Sequence, residues 1–347
     1  MSLAAALRTG DLAELPGRRD EDWRWTDLRG LIRAIPPPSP EVREVAANPE
    51  LEALKGPEIV YANGRCLEDC EILIPPTGEG EFVRRFVSAT AGGSHHLEAP
   101  VQVGQGARLL LVDSFEGRAD GYVADAHCRI RVAEGAQLER IVLLDDAADA
   151  ISVALTEVEL APGSSFRQTV LATGARRQRF ETQVRHMGGG ASVQLDGLYV
   201  LTGQRHSDQT THIRHESPDG AASQLTKGMV QDQARGVFQG RILVAEGADR
   251  TDARMGHHAL VLSDRAEVDA KPELEIYADD VACAHGNTVG ALDEDALFYI
   301  RSRGLPEAEA RALLIEAFLG EVVDRIAHIQ AHQLARTWVE QRLRAAG

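Results

Sequence analysis

The sequence predicts a mainly β protein, a parallel β-solenoid flanked by helical segments, and three observations carry that expectation. A tight glycine turn followed by an apolar run recurs at Gly106-Ala107, Gly135-Ala136, Gly163-Ser164, Gly190-Ala191, Gly220-Ala221 and Gly247-Ala248. The successive spacings are 29, 28, 27, 30 and 27 residues, and periods of this size mark repeat architectures. Several units carry two strand-like runs, Arg108-Leu109-Leu110-Leu111-Val112 then Ile130-Arg131-Val132-Ala133, or Ile141-Val142-Leu143-Leu144 then Val158-Glu159-Leu160-Ala161. No helical 3.6-residue apolar period lies between these runs, and two strands per unit is what one coil of a stacked solenoid needs.

The elements follow in order along the chain. Residues 1 to about 33 read as amphipathic helix, ended by Ile35-Pro36-Pro37-Pro38-Ser39-Pro40, because proline lacks the amide hydrogen a helix requires. From about Glu58 short strands begin (Ile59-Val60-Tyr61-Ala62, then a turn at Asn63-Gly64), with a further break at Pro75-Pro76-Thr77-Gly78. Residues 1–97 thus form an N-terminal helical region and linker with short strands, and residues 98–292 form the solenoid core. Residues 293–347 read as a helical domain. Asp293 caps a short helix through Arg303, Gly304 stops it, and Pro306 opens a second with Glu307 and Glu309 in its first turn. Ala310, Leu313, Leu314, Ala317 and Phe318 supply its apolar stripe, and a last helix follows Gly320 through Trp338 to about Leu343.

Composition narrows the partners. The chain of 347 residues is 44% hydrophobic, ample for a core, and its formal charge of -16 argues against nucleic acid or an anionic membrane surface, both of which demand a basic face. Four cysteines without a pairing frame suggest a reducing compartment. The start Met1-Ser2-Leu3-Ala4-Ala5-Ala6-Leu7 lacks a basic segment before a long apolar one, and no window is long enough to span a membrane. A cytoplasmic protein is expected.

Few residues could carry chemistry. Cys66 and Cys70 form C-x3-C with no second pair to complete a zinc site, so both read as ordinary thiols, and Cys128 reads as core packing. Cys283 differs. In Val281-Ala282-Cys283-Ala284-His285-Gly286 the thiol and imidazole are two apart, and on a strand they share one face. A sulfur and a nitrogen donor side by side suit zinc or iron, including iron bound for a cluster, yet two donors cannot complete a site. Packing of a polar pair in a coil corner is the other reading of these residues. His206, His212 and His215, and likewise His257-His258, fit no metal motif and read as surface or ladder histidines. No P-loop, G-x-S-x-G or dinucleotide fingerprint occurs.

The string Lys271-Pro272-Glu273-Leu274-Glu275-Ile276-Tyr277-Ala278-Asp279-Asp280-Val281, followed by Cys283-Ala284-His285-Gly286 and Leu297-Phe298-Tyr299-Ile300-Arg301-Ser302-Arg303-Gly304, resembles the SufB–SufD family of iron–sulfur cluster assembly scaffolds, in its SufD form. Lys227-Gly228, Val237-Phe238-Gln239-Gly240, Thr251-Asp252-Ala253, Leu262-Ser263-Asp264 and Asn63-Gly64-Arg65 support it. So does Glu21-Asp22-Trp23-Arg24-Trp25-Thr26-Asp27-Leu28, with Trp25 where the family has Tyr or Phe. His257-His258-Ala259-Leu260 departs from the Gln/Asn- and leucine-rich run expected there.

The resemblance implies a right-handed parallel β-helix between helical ends and a non-catalytic scaffold. It implies pairing with a SufB-like paralogue through the end of the β-helix and binding of a SufC-like ATPase through the C-terminal helices. Cys283 and His285 then lie at the SufB–SufD interface as candidate transient ligands of iron or a nascent cluster, the partner supplying further donors. No tightly bound cofactor is expected in the isolated chain, whose exposed end strand could also pair with a second copy. Leu297, Phe298 and Tyr299, with Leu314 and Phe318 on the following helix, are the candidate ATPase-docking residues. A polysaccharide-active solenoid would need clustered carboxylates on one face, and Asp279-Asp280 diverge along a strand. A purely structural solenoid would lack the helical module.

Overall fold

A computed structural model describes residues 1–67 and 78–346. The first strands are β1 (Glu58–Ala62), β2 (Arg65–Cys66), β3 (Glu79–Ser88), β4 (Ser94–Glu98) and β5 (Val101–Val103). Then come β6 (Arg108–Gly117), β7 (Val123–Val132), β8 (Gln137–Asp145), β9 (Ile151–Leu160), β10 (Ser165–Ala172) and β11 (Arg177–His186). The series closes with β12 (Ser192–Leu201), β13 (His206–His215), β14 (Ala221–Val230), β15 (Arg235–Val244), β16 (Asp252–Val261), β17 (Glu267–Ile276) and β18 (Ala282–Gly290). Alternate strands build two parallel sheets. One is ten-stranded, in the order β18-β16-β14-β12-β10-β8-β6-β3-β1-β2, and the other runs β17-β15-β13-β11-β9-β7-β4, with β5 also on β7. Among these pairings only β1 with β2 is antiparallel. This is a parallel β-solenoid, and its coil stack extends back through β3 and β1 into the stretch the sequence marked only as short strands.

Alternation fills the lumen. Ile130, Val158, Val184, Ile213, Ile242 and Leu274 occupy one rung across six strands, so aliphatic side chains stack coil upon coil. Each fully buried member stabilises by roughly 1.5–3 kcal/mol relative to exposure, and only the neighbouring coil can bury it. Aromatic rings extend the stack at the N-terminal end, where Phe86 and Phe115 lie 4.5 Å apart.

The corner two residues before each of β6, β8, β10, β12, β14, β16 and β18 holds one residue in the left-handed region. Gly106, Gly135, Gly163 and Gly190 fill it with φ of 67°, 65°, 63° and 70°. The strand register then assigns the same corner to Asp219, Arg250 and Asp280, at φ 59°, 57° and 53°. Gly220 is therefore not the equivalent corner the glycine spacing suggested. It stands one residue later, in a row with Ala107, Ala136, Ser164 and Ala191. Gly247 belongs to an additional turn in a longer corner.

The N-terminal region is less helical than its composition suggests. Helix α1 covers only Leu3–Thr9, capped by Ser2 and ended by Gly10 at φ 75°. Beyond it lie short 3-10 turns, and the chain is strapped onto the shorter sheet by side chains. The Arg179 guanidinium stacks 4.4 Å from the Trp23 ring and donates to Asp22 O at 2.7 Å. Thr26 Oγ1 donates to the buried carboxylate of Asp208 at 2.5 Å. The Pro75–Thr77 break and Cys70 lie outside the described residues. Cys66 is disulfide-bonded, which corrects its reading as an ordinary thiol.

Three helices close the chain: α2 (Glu294–Ser302), α3 (Glu307–Val323) and α4 (Ile329–Ala346). Asp293 caps α2, accepting from the amides of Asp295 and Ala296. Helix α3 continues through Gly320 to Val323 rather than ending there, since a helix interior tolerates a single glycine at a cost of about 1 kcal/mol, and α4 begins only at Ile329. The buried face of α3 is Ala310, Ile315, Leu319, Val322 and Val323, rotated from the expected stripe, so that Leu313 and Ala317 are exposed. This face and Trp338 of α4 cover the outer surface of the ten-stranded sheet at Leu143, Leu171, Leu198 and Met229. Ionic ties fix the dock, with Arg325 2.8 Å from Asp196 and Arg342 2.8 Å from Asp145. No helix among the described residues is long and apolar enough to cross a membrane.

Candidate functional site: the open end of the solenoid

Both sheets end at the last coil. Strand β17 hydrogen-bonds only to β15 and β18 only to β16, so the outer edge of each is left without a strand partner among the described residues. An unpaired edge presents a row of backbone donors and acceptors to any incoming strand. Chemistry sits on this edge. Cys283, His285 and Asn287 stand opposite Ala253, Met255 and His257 of β16. Ala253, Met255 and His257 are buried in the lumen, so the β18 row continues the lumen wall to its open end. Cys283 is half-buried against the core, and His285 is exposed. The pair therefore shares one face, as the i, i+2 spacing requires. Burial pushes the Cys283 thiol up, which keeps it protonated until a metal or base takes the proton.

Behind the edge lies a hydrogen-bonded chain that the sequence did not disclose. His257 Nδ1 donates to Asn287 Oδ1 at 2.7 Å, and His257 Nε2 then accepts from the Tyr199 hydroxyl at 3.0 Å. The His257 ring also stacks on Phe238, with centroids 4.8 Å apart. Burial pushes this imidazole down to about 4, so it is neutral and the direction of both bonds is fixed. The available signal was the spacing Cys283, His285, Asn287, three polar side chains on one strand face. Its link to His257 needed the cross-strand register.

No group of three or more His, Cys, Asp or Glu among the described residues is arranged to hold a metal ion. The other candidates disperse. His206 and His212 share the outward face of an unbroken β13, where His206 Nε2 meets Trp25 O at 3.1 Å and His212 lies 3.9 Å from Glu181. Cys128 is buried and accepts from Arg84 Nη2 at 3.3 Å.

Two distant stretches meet beside the open end. Lys271 Nζ on β17 lies 2.6 Å from Glu21 and 3.2 Å from Glu273, and Arg241 lies 3.1 Å from Glu273. The Lys271–Val281 string thus holds the Glu21–Leu28 strap against the final coils.

The helical candidates separate into two sets. Phe298 and Tyr299 are 73% and 59% exposed, whereas Leu297 is 2% exposed and faces the protein interior. Leu314 and Phe318 are half-buried against the sheet-facing cluster, and the Lys227 ammonium lies 4.3 Å from the Phe318 ring centre while pairing with Glu321 at 2.6 Å.

Comparison with known proteins bears on this geometry. Residues 86–318, well over half of the chain, match the domain family described as SUF system FeS cluster assembly, SufBD core domain. The chain is 29% identical to the iron–sulfur cluster assembly protein SufD of Escherichia coli over a 395-residue alignment covering 98% of this chain and 91% of that protein. It is 38% identical over 197 residues to an iron–sulfur cluster assembly SufBD family protein of Synechocystis, covering 57% of this chain and 44% of that one. A third relative, SufD of Bacillus subtilis, is 34% identical over 139 residues, 40% of this chain and 32% of its own.

Proposed function

The chain belongs to the SufBD family of iron–sulfur cluster assembly proteins, and from that premise we propose that it is the SufD-type scaffold subunit of a complex with a SufB-like paralogue and a SufC-like ATPase. What carries the reading is the outer side of β18, free of a strand partner within the chain, with Cys283 and His285 on its lumen-facing row. A SufB-like chain pairs along this edge and closes the lumen. The cluster is cargo. Cys283 and His285 supply a sulfur and a nitrogen donor, half of a four-coordinate set at most, and the partner supplies the rest. His285 also serves as proton acceptor when a thiol or sulfide must ionise beside it. Its exposure gives access to both the partner and the incoming iron.

The ATPase docks on the exposed face of α2, around Phe298 and Tyr299, and the neighbouring side of α3. Because α3 and α4 are bolted to the ten-stranded sheet by apolar packing and by Arg325–Asp196 and Arg342–Asp145, a pull on the helices is transmitted to the strands that end at β18. Co-expression of this chain with its SufB-like and SufC-like candidates tests the reading. A stable three-component complex is expected, and a chain that purifies alone under all conditions contradicts it.

A further inference from the structure

His257 stands in the run where the chain departs from its family resemblance, and its register partner on the edge strand is Asn287. Asn287 is also the third side chain, after Cys283 and His285, on the lumen-facing row of β18. Its Oδ1 accepts from His257 Nδ1 at 2.7 Å. A carboxamide has one accepting and one donating end, so this bond decides which way the amide faces. The group is planar and trigonal, and turning Oδ1 back to β16 turns Nδ2 away from it. Nδ2 has no hydrogen-bond partner among the described residues, and Asn287 is exposed. Its two N–H donors therefore stand beside His285, on the open side of the last coil.

A buried support fixes this one surface amide. Tyr199 lies on β12, and its register partner on β14 is Gly228. The Tyr199 ring passes over Gly228 to reach His257 on β16, bringing its hydroxyl 3.0 Å from Nε2. A Cβ at Gly228 would overlap the ring, and one at Gly236 would lie 2.7 Å from it, so both positions need glycine for space. Phe238 stacks on the His257 ring with planes inclined by only 6°. Tyr199, Phe238 and His257 are all completely buried. The Tyr199 hydroxyl occupies Nε2, which leaves Nδ1 as the donor, and the packed ring holds that donor on Asn287. Gly228 and Phe238 belong to the segments Lys227-Gly228 and Val237-Phe238-Gln239-Gly240 that carry the family resemblance, and here both serve the amide. Rotamers locked by packing and by hydrogen bonds from behind are what keep a functional group in one geometry.

We propose that Asn287 is a third residue of the cluster-assembly edge, a hydrogen-bond donor that presents Nδ2 to anionic sulfur beside His285, with His257 and Tyr199 as its positioning residues. The inference rests on the scaffold reading. Residues 285 and 287 are i and i+2 on one strand face, so their side chains are neighbours. Cys283 and His285 address the iron, and Asn287 addresses the sulfur. Sulfide and thiolate are ionised acceptors, and hydrogen bonds to ionised groups are the strong ones. Bonds to cluster sulfurs also set the reduction potential. A neutral amide gives this bond without bringing a carboxylate that would compete for iron.

The test is Asn287→Asp, which keeps an oxygen for His257 and exchanges the N–H donors for a second carboxylate oxygen. The urea midpoint of the isolated chain should be no lower than that of wild type, and the complex with the SufB-like and SufC-like partners should form. Cluster formation by that complex should fall roughly tenfold, as loss of one hydrogen bond to a charged acceptor would give. The clusters that still form should have a lower reduction potential, which a fault in packing would not produce. His257→Leu should show part of the same loss, and His257→Gln, whose amide can still donate to Asn287 Oδ1, should recover it. His285→Ala in the same preparations keeps the two readings apart. If His285→Ala loses cluster formation while Asn287→Asp keeps the wild-type rate and potential, this inference alone is overturned. If His285→Ala also builds clusters at the wild-type rate, the scaffold reading falls and takes this inference with it.

Discussion

His257 donates its Nδ1 hydrogen to Asn287 Oδ1 across 2.7 Å, and this bond ties the exposed edge strand β18 to the buried interior of the coil before it. Asn287→Leu removes the acceptor and leaves a fully buried donor unpaired, at a cost of about 1–3 kcal/mol. Urea unfolding of the isolated chain measures this. An unchanged midpoint would mean that His257 finds another partner.

The N-terminal coils hold a buried ion triad. Asp113 accepts from Arg84 Nε and Nη2 at 2.7 and 2.6 Å and from Arg140 Nε at 2.7 Å, all three side chains being inaccessible to water. Asp113→Asn leaves two guanidinium charges uncompensated, so a loss of about 3–5 kcal/mol is expected. Replacing all three by apolar residues of similar volume should cost much less. Equilibrium unfolding of the single and triple variants decides it, and a triple variant weaker than the single would contradict the account.

Stability should fall in mild acid. Burial depresses His95, His206, His215 and His257 to about 4 and His186 to about 3, all below the unfolded value of 6.5. Below pH 6.5 the unfolded chain takes up protons that the folded chain refuses, so stability drops as pH falls toward about 4, each group contributing a slope of about 1.4 kcal/mol per pH unit. His96, raised by its bond to Asp125, opposes this, and so do Asp145, Asp146 and Asp196, pushed up by burial. Five groups against one set the sign above the carboxylate range. A urea midpoint as high at pH 5.5 as at pH 7 would contradict it.

Substitutions on α2 should separate docking from packing. Phe298→Glu with Tyr299→Glu alters residues that are mostly exposed, so the far-UV circular dichroism should not change while binding to the SufC-like ATPase is lost. Leu297→Asp buries a charge and should destabilise the helix itself. Pull-down and spectra on the same preparations distinguish the two, and undiminished ATPase binding by the Phe298/Tyr299 variant would move the docking surface elsewhere.

The repeat was legible because the left-handed corner demands glycine in four successive coils. It slipped at Gly220 because Asp219, Arg250 and Asp280 adopt the same conformation without being glycine, and Asp is among the side chains that tolerate it. Gly220 answers to the space beside the His186 and His215 rings, which no local pattern announces. Alternation alone put Cys283 and His285 on one face. The Tyr199–His257–Asn287 chain joins strands far apart in sequence, and only their stacking reveals it. At the N-terminus, apolar residues spaced for a helix instead anchor a strap, because Arg179, Asp208 and Gln239 offer it better partners than a helix would. The rotated face of α3 follows from the sheet it covers, which the helix's own periodicity does not encode.

The most direct measurement is cluster formation by the reconstituted complex with His285→Ala in place of the wild-type chain. His285 is exposed on the open edge and supports no packing, so folding and complex assembly should be nearly intact. The account expects cluster formation to fall sharply, with Cys283→Ala milder because partner donors can replace a half-buried thiol. A His285→Ala complex that builds clusters at the wild-type rate would contradict it and return His285 to an ordinary edge-strand histidine.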